Sequence, residues 1–373
     1  MQHPLRFRLV QLACLLLFFA LALSTALAKS PTVDEPVHVL RGRTLWQTGS
    51  MRLQYEHGPL SHWLIGSLLF TEPTLGNVTD LPAWETADRI ALAKALLWSA
   101  DPLPDVRRVF LLARFPVLCV GLLLGALLAL WGRRLGGRWG ALTAVSLFAL
   151  SPNLLAHFAL ATTDGALTGV YVTAVYAGWR AAHPQSTRRT RLAAGIMLGL
   201  AIGAKLTALL LLPLLLFLFY GEWWRQPPRS PWWQPLRLWA GLLPLAALVV
   251  WVLYGFEWRT LPGWPMPLPA ATYIESLQQL LTHVEGGHVA YLLGERSTAG
   301  WWYYFIVAFL VKTPATTLLL LLAALGWWAW RRSWQVSWLG LPPLALLALA
   351  SYSRFDIGIR HILPGLPFVW LLV

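Results

Sequence analysis

Charged residues are scarce in this chain of 373 residues, since aspartate, glutamate, lysine and arginine together make up 12% of it. An average soluble domain carries about 25%. Hydrophobic residues make up 57%, and the mean hydropathy is +0.57. Several runs contain no charged residue at all, namely 117–131, 206–220, 239–255 and 313–330. These runs approach the roughly 20 residues that a bilayer-spanning helix needs. The composition therefore excludes a soluble domain and predicts an all-α polytopic membrane protein.

Lysine and cysteine are also rare. Of the 29 basic residues only four are lysine, and the arginines lie mainly in short connections between apolar runs. This distribution is typical of the positive-inside rule. The net charge of +13 therefore indicates membrane topology and not a nucleic-acid partner. The only two cysteines, Cys14 and Cys119, lie in predicted spans, so we expect no external disulfide.

Glycine-rich nucleotide-binding motifs are missing as well. The sequence contains neither a P-loop nor the glycine fingerprint of a Rossmann domain. We therefore expect no nucleotide cofactor.

The N-terminus has features of both a signal peptide and a first span. Arg6 and Arg8 precede an apolar run, 9–28, that ends in Ala-Leu-Ala. The run is longer than the 7–15 apolar residues of a typical signal peptide. We therefore interpret it as a retained span, with the N-terminus in the cytoplasm.

The apolar runs and basic connections predict about ten spans in a single domain, 1–373. Two longer polar segments, 29–108 and 257–300, are predicted to lie outside the cytoplasm. The run 192–220 is interpreted as two short spans broken near Gly203–Lys205, because a single span would place a cluster of arginines outside. Nine of the sixteen acidic residues fall in 29–108, and six more fall at other predicted outer turns. The acids did not enter the topology argument, so they support it independently.

The last predicted span starts near Ile362 and has only about twelve residues, which is short for a bilayer. We therefore expect the sequence to be truncated at its C-terminus and to lack further helices.

Acidic residues near the predicted outer boundary are the first candidates for a functional site. Asp34 and Glu35 follow the first span and precede Pro36, a pattern that is typical of a helix start. Asp164 opens the predicted fourth span, after two threonines. Capping alone could explain each of these acids. However, acids at a membrane boundary are costly unless they are paired or functional.

A second candidate is the stretch Gln54–Leu64, "QYEHGPLSHWL". Glu56 and His57 could bind a divalent metal, and His62 could be a further ligand. Two residues give a weak metal signal, so a solvated turn remains the alternative.

A third group is cationic. Lys205 lies at the predicted break, Lys312 lies in the eighth predicted span, and Arg354, Arg360 and His361 flank the last outer turn. Cations at such depths pair, snorkel or bind a ligand. Several of them on one face favour a lipid-linked phosphate or pyrophosphate. Together with the acids, they predict a site at the outer boundary for a sugar donor that is itself a lipid.

The sequence motifs that contain these acids and cations resemble those of the lipid-carrier-dependent glycosyltransferases of the GT-C fold. That family includes the dolichyl-phosphate-mannose–protein mannosyltransferases and the bacterial aminoarabinose transferase of lipid A. The resemblance is carried, in the family's order, by "DEPVH", "EHGPL", "SPNLLAHFALATTD", "GLAIGAKLTALLLLP", "YLLGERSTAGWWYYF", "KTP" and "RHILPGLP". It covers nearly the whole chain and implies the GT-C transmembrane bundle, with juxtamembrane helices after the first span.

The resemblance also implies roles for individual residues. Asp34 would be the catalytic base, with Glu35 as its neighbour and Asp164 as a second acid of the site. The donor phosphate would be bound by His57 and Arg360, and the cation pattern adds Lys205 and Lys312 as further phosphate ligands. A divalent metal ion would be held by Glu56 together with His283 or His288. Gly58 stands where the family has a proline.

The implied reaction is transfer of a sugar from a polyprenyl-phosphate donor to an acceptor, with inversion, on the periplasmic face of the cell inner membrane. The expected partners are that donor, a protein or lipid acceptor and membrane lipid. Two alternatives stay open at this point. A transporter or flippase for a lipid-linked sugar would need the cations but no base at Asp34. A membrane protein without catalytic activity would use the acids only as caps, and they would then not meet in one cavity.

Overall fold

The structure is a computed structural model, and it describes residues 4–54, 57–225, 231–286, 289–331, 337–353 and 355–373. Helices dominate these ranges. The helices are α1 (Pro4–Ala28), α2 (Glu35–Thr48), α3 (Pro59–Gly66), α4 (Arg89–Trp98), α5 (Val106–Ala149), α6 (Pro152–Phe158), α7 (Thr163–Ala182), α8 (Arg188–Ala204), α9 (Leu211–Arg225), α10 (Gln234–Leu253), α11 (Ala271–Gly286), α12 (Tyr304–Lys312), α13 (Ala315–Arg331), α14 (Leu341–Tyr352) and α15 (Leu366–Leu372).

Two small antiparallel hairpins lie in the second predicted outer segment. Strand β1 (Trp258–Thr260) pairs with β2 (Pro267–Pro269), and β3 (Ala290–Leu292) pairs with β4 (Glu295–Ser297). Helix α11 lies between the hairpins in sequence and contacts the first outer segment, because the Ser276 hydroxyl donates to the Gln54 carbonyl at 3.2 Å.

Helix α5 is a hairpin of two packed halves. Its backbone leaves helical geometry at Gly136 and Gly137, inside the "GRRLGGR" stretch that the sequence predicts as a turn. Gly137 has a φ of +62°, which glycine adopts without a steric penalty. A Cβ added at Gly132 would lie 2.5 Å from the carbonyl oxygen of Gly140. The two halves can therefore pack this closely only because both of these positions are glycine.

Helix α1 packs between the two halves of α5. The ring of Phe7 lies 5.1 Å from that of Trp139, and the ring of Phe18 lies 4.5 Å from that of Phe148. Phe18 also lies beside Gly121, in the first half. Helix α1 thus contacts both halves.

The helical path breaks where the sequence predicts a break. Lys205 has an extended backbone (φ −160°, ψ 142°) between α8 and a 3₁₀ turn, Leu206–Leu210, that leads into α9. Similar breaks separate α6 from α7, which meet at 113°, and α12 from α13, which meet at 111°. Each break leaves backbone polar groups at helix ends inside the apolar bundle. Within a membrane, such groups are tolerated only where they are buried in protein or line a cavity.

By length and composition, four helical segments of the described chain can cross a membrane, or up to six if each bent pair forms one span. The segment Val106–Ala149 is counted once although it contains the second and third predicted spans. The chain is a multi-pass membrane protein of helical class, as predicted from its composition. The number of about ten spans stays a prediction.

Candidate active site

Five of the predicted site residues, His57 among them, come from distant parts of the chain and line one cavity. The cavity has a volume of about 860 Å³, and its lining includes Asp34, Asp164, Lys205 and Arg360. These residues lie at the start of α2, the start of α7, the break after α8 and the turn before α15. The cavity is therefore built from helix ends and breaks.

Asp34 stands at the N-cap position of α2, but its side chain makes no capping hydrogen bond. Instead, its Oδ2 accepts a hydrogen bond from Arg360 Nη1 at 2.8 Å. The Asp34 side chain is 50% exposed. A simple capping role thus does not account for this carboxylate, which faces the cavity.

Asp164 and Lys205 form a second ion pair, which is more deeply buried. Lys205 Nζ lies 2.8 Å from Asp164 Oδ1, and the two side chains are 12% and 5% exposed. Asp164 lies in the first turn of α7, whereas the N-cap is Thr162. An acid in the first turn of a helix is favoured by the helix dipole. Lys205 reaches it because the break after α8 directs the lysine towards the start of α7.

Glu35 has different surroundings from Asp34. Its carboxylate is fully buried and accepts hydrogen bonds from Arg114 Nε at 2.7 Å and Arg114 Nη2 at 2.8 Å. It also accepts from the backbone N–H groups of Ala161 and Thr32, both at 2.8 Å. Although burial alone would raise the pKa of Glu35, these hydrogen bonds hold it below its usual value. Glu35 joins α2, α5 and the α6–α7 turn, and it is not part of the cavity lining.

Three histidines of the first outer segment form a buried cluster behind Asp34. His38 Nδ1 lies 2.9 Å from His62 Nε2, and His62 Nδ1 lies 2.6 Å from Gln54 Oε1. The ring of His57 lies 5.6 Å from that of His38, and both histidines line the cavity. Burial and the positive charge of Arg41 lower the pKa of His38 to about 4. The cluster is therefore neutral at pH 7.

Cations outnumber acids around the cavity. The described lining has two carboxylates, Asp34 and Asp164, and five basic side chains, which are Arg41, Arg89, Lys94, Lys205 and Arg360. The remaining wall is mostly apolar and includes Leu206, Leu209 and Leu210 after the break, Leu280 and Leu281 of α11, and Leu346 and Leu349 of α14. This combination suits an anion attached to a long apolar chain.

The other predicted site residues are placed elsewhere or are not described. Lys312 is exposed at the end of α12 and does not line the cavity, although its backbone carbonyl accepts a hydrogen bond from Asn153. Glu56 and His288, and the side chain of His283, lie outside the described residues, as does Arg354. Within the described ranges no group of three or more His, Cys, Asp or Glu side chains could hold a metal ion. The metal site stays a prediction.

Sequence reasoning missed Arg114 and Gln54. Arg114 is fully buried in α5 and also donates to the Ala26 carbonyl at 2.7 Å. Its position inside a predicted span was a usable signal, since intramembrane charges are usually paired or functional. Gln54 gave no such signal, because polar residues are common in outer loops.

The comparisons agree with this architecture. The sequence model of the family described as dolichyl-phosphate-mannose-protein mannosyltransferase matches residues 108–254. The solved structure of ArnT from Cupriavidus metallidurans in the apo state aligns with a TM-score of 0.64 and 18% identity, over 98% of this chain and 58% of that one. The same protein bound to undecaprenyl phosphate aligns with a TM-score of 0.61 and 17% identity, over 99% and 60%. No curated protein sequence matches the chain.

These comparisons show the fold. The chain has the GT-C fold that its sequence motifs predict, and the resemblance stated above is confirmed at that level. The family match covers less than half of the chain. The chain spans about three-fifths of the length of the solved structures, at 58% and 60%.

Proposed function

We propose that this protein is a membrane glycosyltransferase that moves a sugar from a polyprenyl-phosphate donor to an acceptor, with inversion at the anomeric carbon. The observation that carries the proposal is the single cavity in which Asp34, Asp164, Lys205 and Arg360 meet beside an apolar wall. The match to a structure bound to undecaprenyl phosphate supports the class of donor.

Asp34 is the proposed base. The acceptor oxygen attacks the anomeric carbon as the bond between that carbon and the phosphate oxygen breaks. Asp34 takes the acceptor's proton, and the polyprenyl phosphate leaves with the bonding electrons. Asp34 suits this task because its carboxylate is half-exposed in the cavity and has one cationic partner. Glu35 does not, because five hydrogen bonds occupy its buried oxygens.

Arg360 and Lys205 are the proposed phosphate ligands. Each already pairs with a carboxylate at 2.8 Å, so a bound phosphate would compete with Asp34 and Asp164 for them. A carboxylate that loses a cationic neighbour binds protons more strongly. Donor binding at Arg360 would therefore also activate the base. Cations placed where the leaving phosphate gains charge lower the barrier.

The place of the reaction follows from the topology predicted by the arginines and acids. The cavity lies at the start of α7 and the end of α8, which that topology places at the periplasmic boundary of the inner membrane. The acceptor would then be a protein or lipid that reaches this face.

The test uses the purified full-length chain in detergent with a panel of undecaprenyl-phosphate sugars. We expect release of undecaprenyl phosphate that depends on added acceptor, and a product with inverted anomeric configuration. The competing function is transport of the same lipid. Movement of the intact lipid-linked sugar across vesicles, without cleavage of the sugar–phosphate bond, would replace the proposed function by a flippase.

A further inference from the structure

A second large cavity lies at the other ends of helices α7 and α8. It has a volume of about 1050 Å³ and is lined by the end of α7, the connection His183–Ser186, the start of α8, the end of α9 and the start of α10. Helices α7 and α8 have 20 and 17 residues, which corresponds to roughly 25–30 Å at 1.5 Å per residue. The two cavities are thus separated by about the thickness of a bilayer's hydrocarbon core. A bilayer with the donor cavity at one boundary would therefore have the second cavity at the other.

The polar part of this second cavity is cationic. Its described lining contains Arg188, Arg191 and Arg237 together with His183, and no aspartate or glutamate. Within the described ranges none of the three arginines forms an ion pair with a carboxylate. The neighbouring Glu222 pairs with Arg225 at 3.6 Å and is not part of the lining. Helices α8 and α10 both begin here, and their N-terminal dipoles add to the positive potential.

The rest of the second cavity is apolar and aromatic. Leu192, Leu238, Leu242 and Leu245 line one side, and Phe219 and Trp223 line the other. Tryptophan is enriched at the membrane–water interface. Gly241 also lines the cavity, and a Cβ placed there meets nothing within 4 Å. The cavity therefore offers both basic groups and apolar surface to an occupant.

We propose that this cavity binds an anionic phospholipid of that leaflet, with the phosphate at Arg191 and Arg237 and an acyl chain against the leucines of α8 and α10. Basic pockets between transmembrane helices are suited to anionic lipid head groups. The described lining supplies arginines and no carboxylate, so it favours an anion. The apolar walls give a lipid contacts that a free phosphate would not make. The site is separate from the donor cavity and does not depend on the proposed reaction.

The experiment is native mass spectrometry of the purified full-length chain with added phosphatidylglycerol or phosphatidylcholine. We expect phosphatidylglycerol to be retained preferentially, and to raise the thermal unfolding midpoint because it binds the folded state. The double variant Arg191→Gln/Arg237→Gln should bind it about ten- to thirtyfold more weakly, since each basic residue near an anionic lipid contributes roughly fivefold in affinity. The matched control, Arg133→Gln/Arg189→Gln, removes the same charge from exposed positions outside the cavity.

Two further measurements distinguish a built site from general charge attraction. Gly241→Leu keeps every charge but fills the open space in the cavity, so it should also weaken retention of phosphatidylglycerol. Glycerol 3-phosphate carries the head-group phosphate without acyl chains and should bind far more weakly. Equal retention of lipid by the cavity variants and the control would overturn the proposal. So would equal retention of the two lipids, or glycerol 3-phosphate binding as tightly as phosphatidylglycerol.

Discussion

Asp34 and Glu35 are adjacent in the chain, yet their carboxylates lie in opposite environments. The side chain of Asp34 is 50% exposed in the cavity and pairs with Arg360. The side chain of Glu35 is 0% exposed and pairs with Arg114 through two hydrogen bonds. The Asp34 carboxylate is thus available to a ligand, whereas the Glu35 carboxylate holds helices together.

Glu35→Gln should destabilise the protein strongly. The substitution leaves the Arg114 guanidinium buried without its counter-charge, and breaking a buried ion pair from one side costs about 3–5 kcal/mol. Thermal unfolding of the purified protein in detergent measures this. The double variant Glu35→Gln/Arg114→Met removes both charges and should recover part of the loss. If Glu35→Gln unfolds like the wild type but transfers no sugar, Glu35 acts in the chemistry.

Asp34→Asn should leave the fold intact and reduce turnover about 10²–10⁴-fold, because asparagine cannot accept the acceptor's proton. An exposed ion pair contributes only about 0–1 kcal/mol, so the unfolding midpoint should hardly change. Glu85→Gln removes an exposed carboxylate from the same outer segment and serves as the control. A well-folded Asp34→Asn protein that keeps more than about a tenth of wild-type turnover would make Asp164 the next candidate.

Arg360→Met should raise the KM for the lipid donor about tenfold or more, since a hydrogen bond to a charged group contributes about 1.5–3 kcal/mol. Lys312→Met is the matched control, because Lys312 was predicted for the same role but does not line the cavity. Its donor KM should equal that of the wild type. The assignment fails if both variants raise the donor KM equally.

Gly58→Ala should destabilise the protein by about 1–3 kcal/mol, the usual result of overpacking. A Cβ at this position would overlap the carbonyl oxygen of Gly203, next to the break that positions Lys205. Gly76→Ala is the control, because a Cβ there meets nothing within 4 Å. Thermal unfolding and donor KM should both change for Gly58→Ala only. Equal unfolding midpoints for the two variants would show that the α3–α8 contact is looser than described.

Stability should fall as the pH is lowered from about 6.5 towards 4. Burial and Arg41 lower the pKa of His38 to about 4, and burial and His38 lower that of His62 well below 6.5. The unfolded chain therefore binds more protons in this range, so acidification favours unfolding. The unfolding midpoint at pH 7.5 and pH 5 checks this, and His38→Gln should show a smaller difference. A midpoint that is the same at both pH values would contradict the buried neutral cluster.

Local features of the fold were predictable from the sequence because their causes are local. Pro36 and the preceding acids indicate the start of α2, which begins at Glu35. The glycines of "GRRLGGR" indicate the turn inside α5. Charge patterning indicated the break at Lys205. The first two signals come from residues next to the feature, whereas the break was inferred from the arginines of the following connection.

The pairing of the site residues could not be derived in this way. Asp34 and Arg360 are 326 positions apart, and Asp164 and Lys205 are 41 apart. Only packing of the whole bundle decides which cation meets which acid. For the same reason the motifs grouped Glu35 with Asp34 and Lys312 with Arg360, whereas only Asp34 and Arg360 line the cavity.

The hydrogen bonds of Arg114 imply an order in which segments of the protein become structured during synthesis. Its guanidinium donates to the carbonyl of Ala26, 88 residues earlier, and to those of Lys29 and Ser30. The C-terminal end of the first inserted helix therefore lacks these partners until the ribosome has delivered the second predicted span. Since chains fold as they emerge, we expect nascent chains that stop before Arg114 to remain open to protease at Lys29 and Ser30. Chains extended beyond Ala161, whose N–H group also binds Glu35, should become resistant there. The end of the first helix therefore depends on residues that are synthesised after it.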